Sequence, residues 1–347
     1  MSRSAASIGL ILAAISFSAS GKTVTAGQAN SENVYAGQNI TLIVGSSAGG
    51  GYDAYARLLS RHIRNHIPGQ PSVSVQNMPG ASGVRAVNHV YNVAPRDGSV
   101  FTIGNRTTLV EPVFGSEQVK IDARKLSWIG GLNTEWSVGI ATPESGLTSI
   151  EVAREREFPV SASGASSDGY VYAAILNSVL GTRFKIITGY PGTAEEQIAM
   201  QRGEVAGRVG WAWGSIQATA KHLVDSGKLK PFVVLAPAKQ TGLDIPLARD
   251  FAKSDADKAV LDFAFAPQLY GRPFFAPPAI PRNRHEALKG AFRTTASDEA
   301  FLGEAAKLQL DIEYVSPERL QELSERLYAT PQNIVARTKL AREGRGF

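Results

Sequence analysis

The sequence predicts an α/β protein of two lobes, each a parallel sheet faced by helices, joined by two extended crossings that leave a cleft between them. Three observations predict this. Strand-like and helical runs alternate with short connections from Ile40 to Ile103, the pattern of a parallel sheet with helices on its faces. The same alternation returns between Pro159 and Leu235. Small-residue loops follow the strands in both halves, at the edge where ligands of such sheets sit.

The first half opens with the apolar run Ile40–Val44, which feeds Gly45-Ser46-Ser47-Ala48-Gly49-Gly50-Gly51-Tyr52-Asp53. A helical spacing through Tyr55, Leu58, Leu59 and Ile63 leaves that loop, giving strand, glycine loop, helix. Three consecutive glycines let backbone approach a ligand closely, and the N–H groups of the first helical turn favour an anion. A strand at Val73–Gln76 leads to a second loop, Gly80-Ala81-Ser82-Gly83, and a helix through Val84, Val87 and Val90. After the turn Pro95-Arg96-Asp97-Gly98, a strand at Val100–Ile103 ends in Asn105 and Arg106. The three loops converge on one sheet edge.

Trp128–Leu132 and Ser137–Ala141 read as one long extended passage. In the second half, a strand at Pro159–Ala162 enters Ser163-Gly164-Ala165-Ser166-Ser167-Asp168, and a helix runs from Tyr170 to Leu180. Phe184–Thr188 enters Tyr190-Pro191-Gly192-Thr193, where Pro191, Thr193 and the acids Glu195 and Glu196 suit a helix start. A short strand near Gly207–Trp211 ends in Trp213, and Phe232–Leu235 closes the set. Tyr270–Ala276 is extended again, and the remainder is helical, with new helices at Pro317 and Pro331.

Residues 1–20 read as a cleaved secretory signal: Arg3, an apolar stretch from Ile8 to Phe17, then small residues up to Ser20. Residues 21–37 are small and polar and read as a disordered lead-in. The ~310 residues that follow suffice for two domains of ordinary size, expected at 38–136 plus 268–347 and at 137–267. With no cysteine, no disulfide forms. A net charge of +5 without a basic stripe interleaved with aromatics excludes nucleic acid as the expected partner. No cluster has metal-ligand spacing, so neither a metal nor a cofactor is expected. Two lobes around a cleft are the layout of a periplasmic binding protein that closes on a solute, although a bilobal enzyme would share it. Gly45-Ser46-Ser47-Ala48-Gly49 matches the nucleophile-elbow pattern with Ser47 as nucleophile, but none of the five histidines sits in a persuasive loop.

Taken in order, Ile40–Val44 with Ala48-Gly49-Gly50-Gly51-Tyr52-Asp53, Asn77-Met78-Pro79-Gly80-Ala81-Ser82-Gly83, Ala94–Gly98, Gly189-Tyr190-Pro191-Gly192, Gly203–Gly207 and Phe274–Pro278 resemble the solute-binding proteins of tripartite tricarboxylate transporters, the Bug/TctC family. The resemblance implies a bilobal periplasmic-binding-protein type II fold with two hinge strands. It also implies capture of a small organic mono- or dicarboxylate in the periplasm and its delivery to a membrane permease; the chain is expected to be a monomer. A sensor kinase is an alternative recipient, and a serine esterase at Ser47 is the alternative of another class. Carried onto this chain, the ligand-holding positions are Ser46, Ser47, Gly49, Gly50, Gly51, Tyr52 and Asp53 in the first loop and Gly80, Ala81, Ser82 and Gly83 in the second. The second lobe contributes Ser163, Gly164, Ser166, Ser167, Tyr190, Gly192 and Thr193. The chain departs from the family at Ser46-Ser47, where Pro-Phe is common, and around Ser166-Ser167-Asp168, where Ser-His is usual. It departs again at Arg106, where many relatives are neutral.

From their own chemistry, Asn105 and Arg106 join the candidate site. Arg106 suits a bidentate pair with a second ligand carboxylate, or an interdomain or surface role. Arg208 and Arg272 are weaker candidates, the latter with a hinge-bracing reading. Trp211 and Trp213 could wall a ring-bearing ligand or simply pack; Trp213 is kept as a site residue.

Overall fold

The computed structural model describes residues 33–345 apart from 237, 241 and 242. The expected signal at 1–20 lies outside the described residues, as does the lead-in up to residue 32. Within residues 33–37, which were also expected in that lead-in, Tyr35 is fully buried. Its hydroxyl donates to Gly98 O at 2.9 Å, so the last residues before the first strand belong to the core.

The first lobe begins with β1 (Asn39–Val44), α1 (Gly51–Ile63), β2 (Ser72–Asn77), α2 (Val84–Asn92), β3 (Val100–Ile103) and β4 (Ser127–Gly131). The second holds β5 (Ser137–Ala141), α3 (Ile150–Glu155), β6 (Phe158–Ser161), α4 (Asp168–Leu180), β7 (Phe184–Ile187) and α5 (Thr193–Gln201). It continues through β8 (Gly207–Ala212), α6 (Trp213–Thr219), α7 (Lys221–Asp225), β9 (Lys230–Leu235) and α8 (Asp255–Phe265). The chain then returns through β10 (Pro273–Ala276), followed by α9 (Arg282–Ala296), α10 (Glu299–Lys307), α11 (Pro317–Tyr328) and α12 (Gln332–Arg342).

Two five-stranded sheets form, in the orders β2-β1-β3-β10-β4 and β7-β6-β8-β5-β9. The expectation of purely parallel sheets is corrected: β10 runs antiparallel to β3 and β4, and β5 runs antiparallel to β8 and β9. The physical reason is the connectivity. β5 and β10 are the strands by which the chain arrives from the other lobe, so they enter their sheets from the opposite end. The other pairings are parallel, β1 with β2 and β3 and β6 with β7 and β8, as helical crossovers require. The passage from Trp128 to Ala141 is accordingly two strands in two sheets. Between Phe265 and β10, where extended chain was expected from Tyr270, Ala266–Tyr270 is a 3-10 turn.

Alternation along β1 shows how the first core is built. Ile40, Leu42 and Val44 face one cluster with Tyr55, Leu58, Phe274 and Phe292. Ile43 faces the other, with Val87, Val90, Trp128 and Phe275. The second sheet has its own pair of clusters, around Tyr172, Ile175 and Phe265 and around Ile140, Trp211 and Ile216. α12, expected with the first domain, touches both lobes. Val335 packs in a first-lobe cluster and Ala341 in a second-lobe one.

Where the chain crosses between lobes, Glu135 N donates to Gln268 O at 3.3 Å and Leu132 N donates to Arg272 O at 3.3 Å. Arg272 is buried there. Its Nη2 donates to Glu135 Oε2 at 2.8 Å and to Ser215 Oγ at 2.7 Å, and its guanidinium lies 4.7 Å from the Tyr52 ring and 5.0 Å from that of Tyr55. A buried arginine with a carboxylate and two aromatic faces is a rigid joint, and it stands where the two crossings between the lobes meet. Among the described residues no helix is long and apolar enough to cross a membrane.

Candidate functional site

A cavity of about 50 Å³ lies between the lobes. By volume it is room for roughly four waters. The first lobe lines it with Gly45 and Ser46 at the end of β1, Tyr52 on α1, Ser82 in the 81–83 turn, and Ile103 and Asn105 at the end of β3. The second lobe supplies Ser163 and Ser167 between β6 and α4 with Asp168 at the start of α4, Pro191 and Gly192 between β7 and α5 with Thr193 and Glu196 in the first turn of α5, and Arg208 on β8. Both sheets thus present the carboxyl ends of parallel strands and the starts of the helices that follow.

Local chemistry places these groups. Asn77 and Asp53 hold the first loop: Asn77 Nδ2 donates to Ser46 O and to Asp53 Oδ1, both at 2.9 Å, and Asp53 Oδ2 accepts from Gly49 N at 2.9 Å. Burial pushes the Asp53 carboxyl up, but Arg57, the Gly49 N–H and Asn77 outweigh it and hold the pKa below its ordinary value. In the second loop, Ala81 and Ser82 both take positive φ, 45° and 60°, local strain held at the cavity edge. Ser82 O accepts from Asn105 Nδ2 at 3.1 Å. In the second lobe, Ser167 caps α4, its Oγ accepting from Tyr170 N at 3.3 Å. Asp168 then stands in the first turn of that helix, and Glu195 and Glu196 in the first turn of α5, where negative charge is favoured.

Direct bonds tie the lobes together around the cavity. Ser47 Oγ donates to Glu195 Oε2 at 2.7 Å, and Arg106 Nη2 donates to Asp168 Oδ2 at 2.5 Å. Thr107 Oγ1 lies 2.7 Å from Ser166 O and 3.0 Å from Asp168 Oδ1. Arg106 is fully buried and also donates to Ser137 Oγ at 2.9 Å. Burial alone would lower its pKa, but the adjacent Asp168 carboxylate, aided by Tyr52, Tyr172 and Glu135, holds it above the ordinary value. Arg106 is therefore charged, and its partner is protein. It sits behind the cavity wall rather than in it.

The glycines also have a different use from the one expected. A Cβ on Gly51 would overlap Ser215 Oγ, and one on Gly192 would overlap Ser47 Oγ. The run Gly49–Gly51 thus lets protein approach protein: the side chains facing it are those of Ala194, Thr193 and Ser215.

Of the sequence-predicted residues, Ser46, Tyr52, Ser82, Asn105, Ser163, Ser167, Gly192 and Thr193 come together around the cavity. Ser47, Gly49, Gly50, Gly51, Asp53, Gly80, Ala81, Gly83, Arg106, Gly164, Ser166 and Tyr190 shape the loops or lobe contacts but do not line it. Trp213 is stacked on Trp136 at 5.2 Å between centroids, away from the lining, and Trp211 is a core residue. Sequence reasoning left Glu196 and Asp168 off the site and ranked Arg208 low. Their signal was present in the first-turn acids of α4 and α5.

Four of the lining residues each carry a buried polar atom without a hydrogen-bond partner: Ser46 Oγ, Ser82 Oγ, Glu196 Oε1 and Arg208 Nε. Glu196 and Arg208 hold each other at 2.6 Å through their other atoms. Burial raises the Glu196 carboxyl above its ordinary value against the opposing pull of the Arg208 guanidinium and the Ser161 hydroxyl, while Asp168 raises it further. Buried polar groups are normally satisfied, and these four stand at the residues around the interlobe cavity. The geometry is poor for hydrolysis at Ser47, whose Oγ is engaged by Glu195. The described histidine contacts go instead to Glu304, Asp298 and Trp128 O.

The fold is shared with solved binding proteins. The periplasmic binding protein BugD aligns with a TM-score of 0.70 and 18% identity, covering 88% of this chain and 98% of that one. Rpa4515 of R. palustris, solved with adipate, aligns at 0.67 and 19% identity over 87% of this chain and 97% of that one. MatC from Rhodopseudomonas palustris, solved with bound malate, aligns at 0.67 and 18% identity over 86% and 98%. No protein-family model matches the chain, and no curated protein matches it.

Proposed function

We propose that this chain is a periplasmic solute-binding protein of the Bug/TctC type, which captures a small organic acid between its lobes and delivers it to the permease of a tripartite tricarboxylate-type transporter. The observation that carries the reading is the interlobe cavity with unpartnered buried hydroxyls on the first-lobe side. Hydroxyls and helix starts are donors suited to a carboxylate, and the small volume favours a small solute. The shared fold, and the adipate and malate of two structural neighbours, support the same class. Binding and not hydrolysis is the work such a site does, because among the described residues no activated nucleophile faces the cavity.

In this reading an open form admits the acid to the first-lobe loops. The second lobe then swings in about the Glu135–Arg272 joint. Ser47–Glu195 and Arg106–Asp168 close over the solute, and the closed face docks on the permease. The secretory signal read at residues 1–20 supports a periplasmic location for the mature chain.

A thermal-shift screen of the chain without its first 20 residues, against organic acids, amino acids and neutral sugars, tests the function. Saturation at one hundred times the dissociation constant adds ~2.7 kcal/mol of stability. A shift confined to small carboxylates is the expected result. Shifts with sugars alone, or with no acid, would overturn the reading.

A further inference from the structure

We infer that Arg342, at the end of α12 and outside the cavity, is a positioning residue for solute binding: its guanidinium latches the second lobe's Ser163–Ser167 loop to the buried Glu111 of the first lobe, and so favours the closed form. This rests on the closing motion of the proposed function and adds to it a group that touches no solute.

Three pieces of chain build the latch. Glu111 lies in the 3-10 turn Thr108–Phe114, after β3 in the first lobe, and is 3% exposed. Ala165 lies in the loop between β6 and α4, whose Ser163 and Ser167 line the cavity. Arg342 is the last residue of α12. Its Nη1 is 2.7 Å from Glu111 Oε1, its Nη2 donates to Ala165 O at 2.8 Å, and its guanidinium lies 5.7 Å from the Phe114 ring. Neither Glu111 nor Arg342 lines the cavity. Both line a separate open groove of about 430 Å³, to which the two lobes and α12 contribute.

The end of α12 that carries Arg342 is fastened to the second lobe. The helix packs on α4 and α8, Ser178 Oγ donates to Ala341 O, and Arg337 Nη2 donates to Asp257 Oδ1 at 2.7 Å. When the lobes part, the bond from Arg342 to Ala165 O therefore stays within one lobe. The pair with Glu111 crosses the boundary and breaks, and water entering from the groove hydrates both charges. Closure removes that water, so each charge then depends on the other. Removing one leaves its partner buried and uncompensated, a cost that falls on the closed form alone. Neutral side chains in both places leave no unpaired charge, so the double change costs less than either single one.

The test uses the chain lacking its first 20 residues, near neutral pH. Spin labels on Arg64→Cys/Lys185→Cys, both exposed, read the interlobe distance without solute and with adipate or malate, the acids with which two structural neighbours were solved. Calorimetry reads the affinity for the same two acids. Arg342→Gln should lower the closed population and weaken both acids by a common factor of at least about ten. Glu111→Gln should act in the same direction, and it supplies the reading if Arg342→Gln does not fold. The double variant should recover most of the loss, which a side chain needed only to hold α12 in place would not do. Wild-type distances and affinities in the single variants would overturn the inference, as would a double variant no better than Arg342→Gln. If the unsubstituted chain binds neither acid, the carboxylate reading fails for these solutes. The distances without solute then decide the latch, and equal closed populations with and without Arg342 overturn it.

Discussion

Arg106 shows what a sequence does and does not tell about a single residue. Its type and place after β3 mark it for an anion, and the anion turns out to be Asp168 of the other lobe, 2.5 Å away. A residue's partner across a cleft is a tertiary fact, set by how α4 and β3 meet, and no local pattern encodes it. The consequence is testable. Arg106→Ala should weaken every bound acid by a common factor, on the order of the ~1.5–3 kcal/mol of a hydrogen bond to a charged group, because the loss is in closure and not in ligand contact. Calorimetry with mono- and diacids checks this; a loss confined to diacids would put the guanidinium on the ligand. Asp53 was expected to touch the ligand and instead braces the loop through Gly49, Arg57 and Asn77. Its carboxyl is depressed below the ordinary 3.8 in the folded chain. Such a group contributes stability that is fully present above the unfolded pKa and is lost as pH falls through the lower folded value. Asp53→Asn should therefore flatten the acid side of a melting-temperature profile below about pH 4 and change its slope little at neutral pH. An unchanged acid limb would mean that Asp53 carries no net coupling.

At the scale of elements, the strand–loop–helix units were legible because apolar periodicity and turn chemistry are local signals. α1, α4 and α5 begin within about two residues of their expected starts, no more than the fraying of a helix end blurs its boundary. What was not legible is strand direction in β5 and β10, since an extended run carries no mark of which way its neighbour points. The glycine loops were legible as close approaches but not as approaches to what. Gly192 lies at extended φ, −174°, so a larger residue is not strained by backbone there. Its side chain, however, would enter the space of Ser47 Oγ. Gly192→Val should leave the thermal stability of the unliganded chain nearly unchanged while lowering acid affinity at least about tenfold, as expected when the binding-competent closed form is less populated. Wild-type affinity in this variant would show that the two loops do not meet when the solute is bound.

At the scale of the whole molecule, the lobes are tied across the cleft by Ser47–Glu195, Arg106–Asp168 and Thr107–Ser166. In the proposed function these ties open to admit a solute to Ser82 and Glu196, and close over it. The joint that permits it is narrow: two crossings, held by Glu135 and Arg272, and α12 reaching from one lobe's core to the other's. In the proposed function closure is a rotation about this joint, and a solute shifts the balance only by binding the closed form better. The chain contains no cysteine, so two introduced at exposed positions are the only labelling sites. Arg64 in the first lobe and Lys185 in the second are both exposed, and neither lines the cavity. Spin labels on Arg64→Cys/Lys185→Cys should give a broad distance distribution without solute and a single narrow one at saturation with a binding acid. Adding Asp168→Ala should keep much of the broad distribution at the same solute concentration, because the tie that holds the closed form is gone. Identical distributions with and without solute would mean that the lobes do not hinge, and that the acid enters by local opening of the loops at Ser47 and Gly192.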